Sequence, residues 1–470
     1  MSILRRSAVS LARGIAAGEL SSTELIREAI AQVDKFDGDL NAVVWRNDDD
    51  ALAAAAAADA ALRDGREVGP FHGVPIPIKE LTEVADQPCT LGSLGVSDVP
   101  RERDDLVVGQ LRRAGFVLFG RTNSPEAGPM SVTENRRFGV TRNPWSLHHS
   151  PAGSSGGAAV AVAAGYAPAA QATDGGGSIR MPASATGLVG LKPSRSRVPS
   201  RVPSWENSIT DGVITRHVED AAAILDAISV PDPRAPYSAP PPPRPFAESL
   251  EPDGRRLRIG IQLEPGTGIP VDPDCQAAAV RLGSALEELG HIVTPVVPRQ
   301  HSQEAIMGFL DVVVNGWLWI TPYEDAELAE PFIRRRREIA TQHHAGEYTI
   351  AAARLWDENY DIVSQWGRDF DLLLTPTMAT PPPLVGTVLA EANTNFDKLR
   401  LTESQMVAFT AGCNITGLPA ISLPVHRTEA GLPVGAQLIG APFGEAELLR
   451  VAAALEPMFG WTEEVPTALR

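Results

Sequence analysis

Residues 150–180 read SPAGSSGGAAVAVAAGYAPAAQATDGGGSIR. Two clusters of glycine and serine bracket the stretch: Gly153-Ser154-Ser155-Gly156-Gly157, and Asp174-Gly175-Gly176-Gly177-Ser178-Ile179-Arg180. Between them, 156–165 (GGAAVAVAAG) is small and apolar all round, which predicts a helix packed closely on every side. Three glycines before a serine permit backbone conformations that other residues avoid. Such a loop can aim several N–H groups at one point, where they would stabilise the oxyanion formed when Ser178 attacks a carbonyl. An ordinary Gly-rich turn is the other reading of the same residues.

Serine needs a base to become a useful nucleophile. None of the nine histidines falls in a convincing pattern. Lys79 follows GVPIPI, a stiff apolar segment that reads as a short buried strand. Burial disfavours an ammonium, and a lysine amine made neutral in this way can accept a proton. A strand-end lysine with its charge at the surface is the alternative. Gly153-x-Ser155-x-Gly157 also fits the G-x-S-x-G nucleophile elbow, which requires a strand before it, a helix after it and a late histidine. NPWSLHHSP (143–151) makes a poor strand, and His426 is the only histidine after residue 350.

At these residues the chain resembles the amidase signature family. Its central signature, GGSSGG followed by D-x-GGSIR, corresponds to Ala152–Gly157 and Asp174–Arg180, and HGVPIPIKE resembles its lysine segment. GRTNSPE (120–126), FGVTRNPW (138–145), GLVGLKPS (187–194), DLLLTPT (371–377), GLPAISLPV (417–425) and GLPVGAQLIG (431–440) extend the match along nearly the whole chain. The resemblance implies an α/β fold, a large mixed sheet surrounded by many helices. It also implies a Ser–cisSer–Lys triad: Ser178 attacks, and Ser154, preceded by a cis bond, passes the proton to Lys79. Gly175, Gly176, Gly177 and Ser178 would supply the oxyanion hole, Ser155 a supporting hydroxyl, and Asp174 with Arg180 a brace. Four positions depart from the common pattern: Ala152 for Gly, Ala158 for Ser, Glu80 for Asp and Gly175 for Thr or Ile. The DGGGSIR variant is similar to the subset of bacterial amidases and cyclic-oligoamide hydrolases.

The implied reaction is hydrolysis of carboxylic amides, linear ones included, through an acyl-enzyme and with no cofactor or metal. An ammonia-releasing amidotransferase subunit, an esterase-leaning enzyme and a non-catalytic binding protein are the competing readings. The pocket is expected from 128–134, 304–325 and 376–381. Met130 and Ser131 would lie near the acyl group, with Trp317, Trp319 and Phe309 as further lining.

The remaining sequence fits this picture. A net charge of −17 over 470 residues argues against nucleic acid and anionic membranes as partners. A small-molecule amide is the expected partner, and a homodimer is compatible. Three widely spaced cysteines suggest neither a zinc site nor a disulfide framework, and the cytoplasm is the expected compartment. Length alone allows two or three domains, whereas the resemblance implies one over 1–470: a helical part to about 65, a core over about 66–228 and an α/β part from about 255. PDPRAPYSAPPPPRP (231–245) reads as an extended surface linker. Helices are predicted at 21–34, 50–63, 104–114, 216–228, 274–289 and 445–455, and strands at 73–78, 116–119, 257–262, 292–297, 371–374 and 420–424.

Overall fold

A computed structural model describes residues 2–396 and 400–470. The chain begins with helices whose signals lie in the local sequence. Ser21 caps helix Ser22–Leu40 in a reciprocal box with Glu24. That helix runs past its expected end to Leu40, where Asn41 closes it at φ 52°. The Ala-rich run forms helix Asp48–Arg63, capped by Asn47.

Strands β1 (Val43–Trp45), β2 (Pro75–Lys79) and β3 (Val117–Thr122) form a small sheet in the order β1-β3-β2. β2 is buried throughout and ends on Lys79. A short hairpin follows, β4 (Glu134–Asn135) with β5 (Gly139–Val140).

The main sheet has eight strands: β6 (Ala169–Asp174), β7 (Val189–Lys192), β8 (Thr210–Thr215), β9 (Arg258–Ile261), β10 (Ile292–Pro295), β11 (Leu372–Pro376), β12 (Ala420–Arg427) and β13 (Pro433–Ile439). Their spatial order is β10-β9-β11-β13-β12-β7-β8-β6. β10, β9 and β11 are parallel, and the other neighbours are antiparallel. The fold is therefore the expected α/β type, a large mixed sheet among many helices. Pro273–Glu288 and Glu445–Phe459 are two of the helices that pack on it.

Four of these strands, β6, β7, β8 and β13, were not anticipated from sequence. β7 and β13 are covered on both faces and so lack the polar–apolar alternation of a half-exposed strand, while β6 alternates only over 170–173 with alanine as its apolar residue. The Pro-rich run 231–245 carries no helix or strand, as expected of an extended segment. It is tied down, however: the Ala239 N–H donates to Ser196 O, and the Arg197 guanidinium to Pro240 O. Strands from both sides of this run share the main sheet. Among the described residues, no helix is long and apolar enough to cross a membrane.

Candidate active site

Three chain segments meet at Lys79. Its side chain is fully buried, and Nζ lies 2.8 Å from Ser154 Oγ, 2.8 Å from Ser155 Oγ and 2.9 Å from Thr173 Oγ1. Burial pushes the amine down to about 7, although the carboxylates of Asp174 and Asp211 pull the other way. The neutral, proton-accepting form is thus well populated near neutrality. The backbone is fixed as well. The Lys79 N–H donates to Gln171 Oε1 at 3.0 Å, and Gln171 Nε2 donates to Asp211 Oδ1 at 2.9 Å.

The serine pair sits at the start of helix Gly156–Ala163, and the Gly153–Ser154 peptide bond is cis. A side chain at Gly157 would place Cβ 2.4 Å from the Asn123 backbone nitrogen, so only glycine lets this helix approach β3 so closely. Ala152 lies at φ +62°, a left-handed conformation that explains the glycine common at that position of the family pattern. Glu80 is also accommodated: its carboxylate accepts hydrogen bonds from the Thr90 hydroxyl and the Gly92 N–H, fixing the loop beside Lys79.

β6 leads directly into the glycine loop. Asp174, its last residue, accepts from the N–H groups of Gly177 (2.7 Å) and Ile179 (3.1 Å). It also forms a fully buried bidentate pair with Arg180, at 3.0 Å to both Nε and Nη2. Burial alone would raise the Asp174 carboxyl. The adjacent Arg180 guanidinium instead holds it well below the usual carboxylate range. Arg180 reaches on to Gln437 and Asn414, so the loop is pinned to the distal half of the chain.

This arrangement alters one expectation. The Gly177 N–H is already committed to Asp174, so it is not free for an oxyanion. The N–H groups of Gly175, Gly176 and Ser178 have no partner among the described residues. Gly177 serves the loop differently. It sits at φ +127°, and an added Cβ would lie 2.4 Å from Thr410 Oγ1. That hydroxyl donates to Gly176 O at 2.7 Å.

Gly175, Gly176, Ser154 and Ser178 all line one cavity of about 110 Å³. Ser178 Oγ makes no hydrogen bond among the described residues, to Ser154 Oγ or to any other group. Ser155, in contrast, is fully buried, donates to Thr173 O and does not line the cavity. No strand leads into it over 141–155, and His426 is hydrogen-bonded to Asp274. The elbow reading therefore lacks its context. A larger depression of about 430 Å³ lies around Arg195 and Trp356, but it reaches none of Lys79, Ser154 or Ser178.

Met130 and Ser131 line the cavity as expected. Trp317 does not. It packs in an apolar cluster with Phe309, Val313 and Leu355. The ring that does line the cavity is Trp205, and Phe309 stands edge-on behind it at 6.4 Å. Gly175 makes room for that ring, since a Cβ there would lie 3.0 Å from Trp205 Cζ3. Trp319 is half-exposed beneath the Arg337 guanidinium. No residue of 304–325 or 376–381 lines the cavity; Glu403 and Val407 do. Thr173 also went unnoticed in the sequence, where a threonine in a strand carries no distinguishing signal.

The family model described as amidase matches residues 24–449. The 6-aminohexanoate-cyclic-dimer hydrolase of Paenarthrobacter ureafaciens is 33% identical over 99% of this chain and 97% of its own.

The chain belongs to the amidase signature family.

A solved structure of 6-aminohexanoate cyclic dimer hydrolase with bound substrate superposes at a TM-score of 0.93, with 31% identity and both chains fully covered. A bacterial aryl acylamidase of the amidase signature family follows the same fold at a TM-score of 0.88, with 26% identity over 98% of each chain. A Ser–cisSer–Lys triad is characteristic of the family, and a cis bond and buried lysine stand at the matching positions here. The protein is an enzyme that hydrolyses amide C–N bonds.

Proposed function

We propose that Ser178 forms an acyl-enzyme, with Ser154 as proton relay and Lys79 as base. The observation that carries this reading is the buried Lys79 amine, depressed to about 7 and 2.8 Å from Ser154 Oγ, behind the cavity that Ser154 shares with Ser178. Ser178 Oγ adds to the carbonyl carbon, and its proton passes through Ser154 to Lys79. The carbonyl oxygen becomes an oxyanion, held by the N–H groups of Gly175, Gly176 and Ser178. The C–N bond then breaks, and the departing amine takes the proton back from Lys79 through Ser154. Water attacks the ester by the same route in reverse, releasing the acid and restoring Ser178. Ser155 and Thr173 orient the lysine, and the Asp174–Arg180 pair braces the glycine loop.

The substrate class in this reading is a small to medium amide with apolar flanks. The lining of Leu81, Pro129, Met130, Met181, Ile209 and Val407 supports it. One relative is named for a cyclic amide and another for aryl amides, so cyclic and aryl amides join the linear ones in the class. Residues 1–470 act as one catalytic unit, a view supported by the shared main sheet.

The test is a panel of linear, cyclic and aryl amides read by mass spectrometry with wild type, Ser178→Ala and Lys79→Ala. Both variants should lose turnover, and a fluorophosphonate should add its mass to the Ser178 peptide of the wild type alone. Turnover retained in either variant would overturn the triad.

A further inference from the structure

Among the cavity-lining residues, Glu403 alone carries a charge. It stands on helix Leu401–Val407, and with Val407 it forms an i, i+4 pair on the face turned to the cavity. The residue is buried, with 12% of its side chain exposed. One carboxylate oxygen, Oε2, pairs with Arg400 Nη2 at 2.9 Å. The other, Oε1, has no partner among the described residues, and it is not among the buried polar atoms sealed from solvent. Arg400 accounts for one oxygen of this lining carboxylate, and the other is left to accept from a donor, since burying it costs free energy unless it is met by one.

The placement is indexed to the reaction centre. Beyond this helix, Thr410 Oγ1 donates to Gly176 O in the glycine loop. The neighbouring Met406 Sδ accepts from Ser131 Oγ, and Ser131 lines the cavity. Behind the carboxylate, Arg400 and Arg336 both place their guanidinium carbons over the Phe332 ring, at 4.7 and 5.4 Å. These cations lie outside the cavity lining, so the cavity itself meets an acceptor. A carboxylate recognises N–H donors and, most strongly, ammonium groups.

We infer that Glu403 determines specificity, selecting amides that carry a second nitrogen donor away from the scissile bond. The inference rests on the amidase reading of the Ser178 site. The donor is either a protonated amine or the N–H of a second amide, and the two share the same hydrogen-bond chemistry.

The experiment compares kcat/KM for N-pentylhexanamide with four relatives. Two carry a terminal ammonium, one on the acyl chain and one on the amine chain; the other two are their N-acetylated forms. Wild type should prefer at least one donor-bearing amide over the parent by roughly 10-fold or more, the range of a charge-assisted hydrogen bond. In Glu403→Gln that ratio should collapse towards one. Glu403→Asp, which keeps a carboxylate beside Arg400, serves if the first variant does not fold, and should also lower the ratio. Preference for the ammonium forms alone identifies a cationic substrate, while equal gain from the acetylated forms identifies a second amide. A wild type indifferent to all four, or a ratio that survives both substitutions, overturns the inference. Ser178-dependent turnover of the parent amide separates that result from a failure of the amidase reading.

Discussion

The burial of Lys79 makes a quantitative demand on pH dependence. At pH 7 an ordinary lysine amine, with a value near 10.5, is neutral in roughly 3 molecules per 10,000. At about 7, half the molecules hold the neutral base. Burial thus raises the active fraction at pH 7 by about a thousandfold, by the usual titration relation. The profile of kcat/KM against pH should show a one-proton rise centred near 7. It should fall roughly tenfold per pH unit below that point. The perturbation is Asp211→Asn. Asp211 favours the charged form of Lys79, and it holds Gln171, which binds the Lys79 N–H. Removing the carboxylate should move the rise towards acid, while Asn can still accept from Gln171. Stability carries the same signature. The folded value lies below the unfolded one, so between about 7 and 10.5 the unfolded chain holds a proton that the folded chain lacks. Stability contributed by this group must therefore rise with pH across that window, by up to about 1.4 kcal/mol per pH unit. Lys79→Met should flatten that slope. Initial rates on an anilide from pH 5 to 9.5, with urea melts from pH 7 to 10.5, give both readings. A rise centred above pH 9, or a shift towards base in Asp211→Asn, would refute the reasoning.

Other substitutions probe the frame around that base. Gly177→Ala combines φ +127° with a 2.4 Å contact to Thr410 Oγ1 and should cost about 2 kcal/mol or more in urea denaturation. Asp174→Asn leaves the fully buried Arg180 without its counter-charge; a loss of about 3–5 kcal/mol is expected, read as a lower midpoint of thermal unfolding. Thr173→Val removes one of the three hydroxyls around Lys79 Nζ and should lower kcat/KM by roughly tenfold, the worth of one hydrogen bond. Fluorophosphonate labelling of Ser178 should slow in step with that rate.

Local sequence determined more of this site than of the sheet that carries it. The glycine clusters around Ser154 and Ser178 are legible because so many glycines stand together, although the close approaches that require glycine at 153, 157 and 177 are to Val132, Asn123 and Thr410 elsewhere in the chain. Lys79 at the end of an apolar strand stayed open between a buried amine and a surface one until the family resemblance singled it out, because burial is decided by the segments that cover it. Strand β6 was missed although it runs straight into the glycine loop before Ser178. AAQATD is covered on both faces, and its alternation is confined to 170–173, with Thr173 as its one β-branched residue. What the sequence could not show of Gly177 is a single hydrogen bond, the one its N–H makes to Asp174.

By itself, the sequence pointed to the chemistry through one combined pattern: two serines 24 positions apart, a lysine and a glycine loop, which singly had ordinary readings and together resemble the amidase signature. Only the tertiary structure decided what surrounds them. Trp205 lines the cavity and Trp317 does not, because the chain turns at 203–208 and brings the 205 ring over Gly175. Glu403 and Val407 complete the lining from more than 200 positions beyond Ser178, through a helix whose own sequence says nothing of its neighbours. Bonding within a segment is written in that segment. A cavity is a property of surfaces that meet only after the chain has folded.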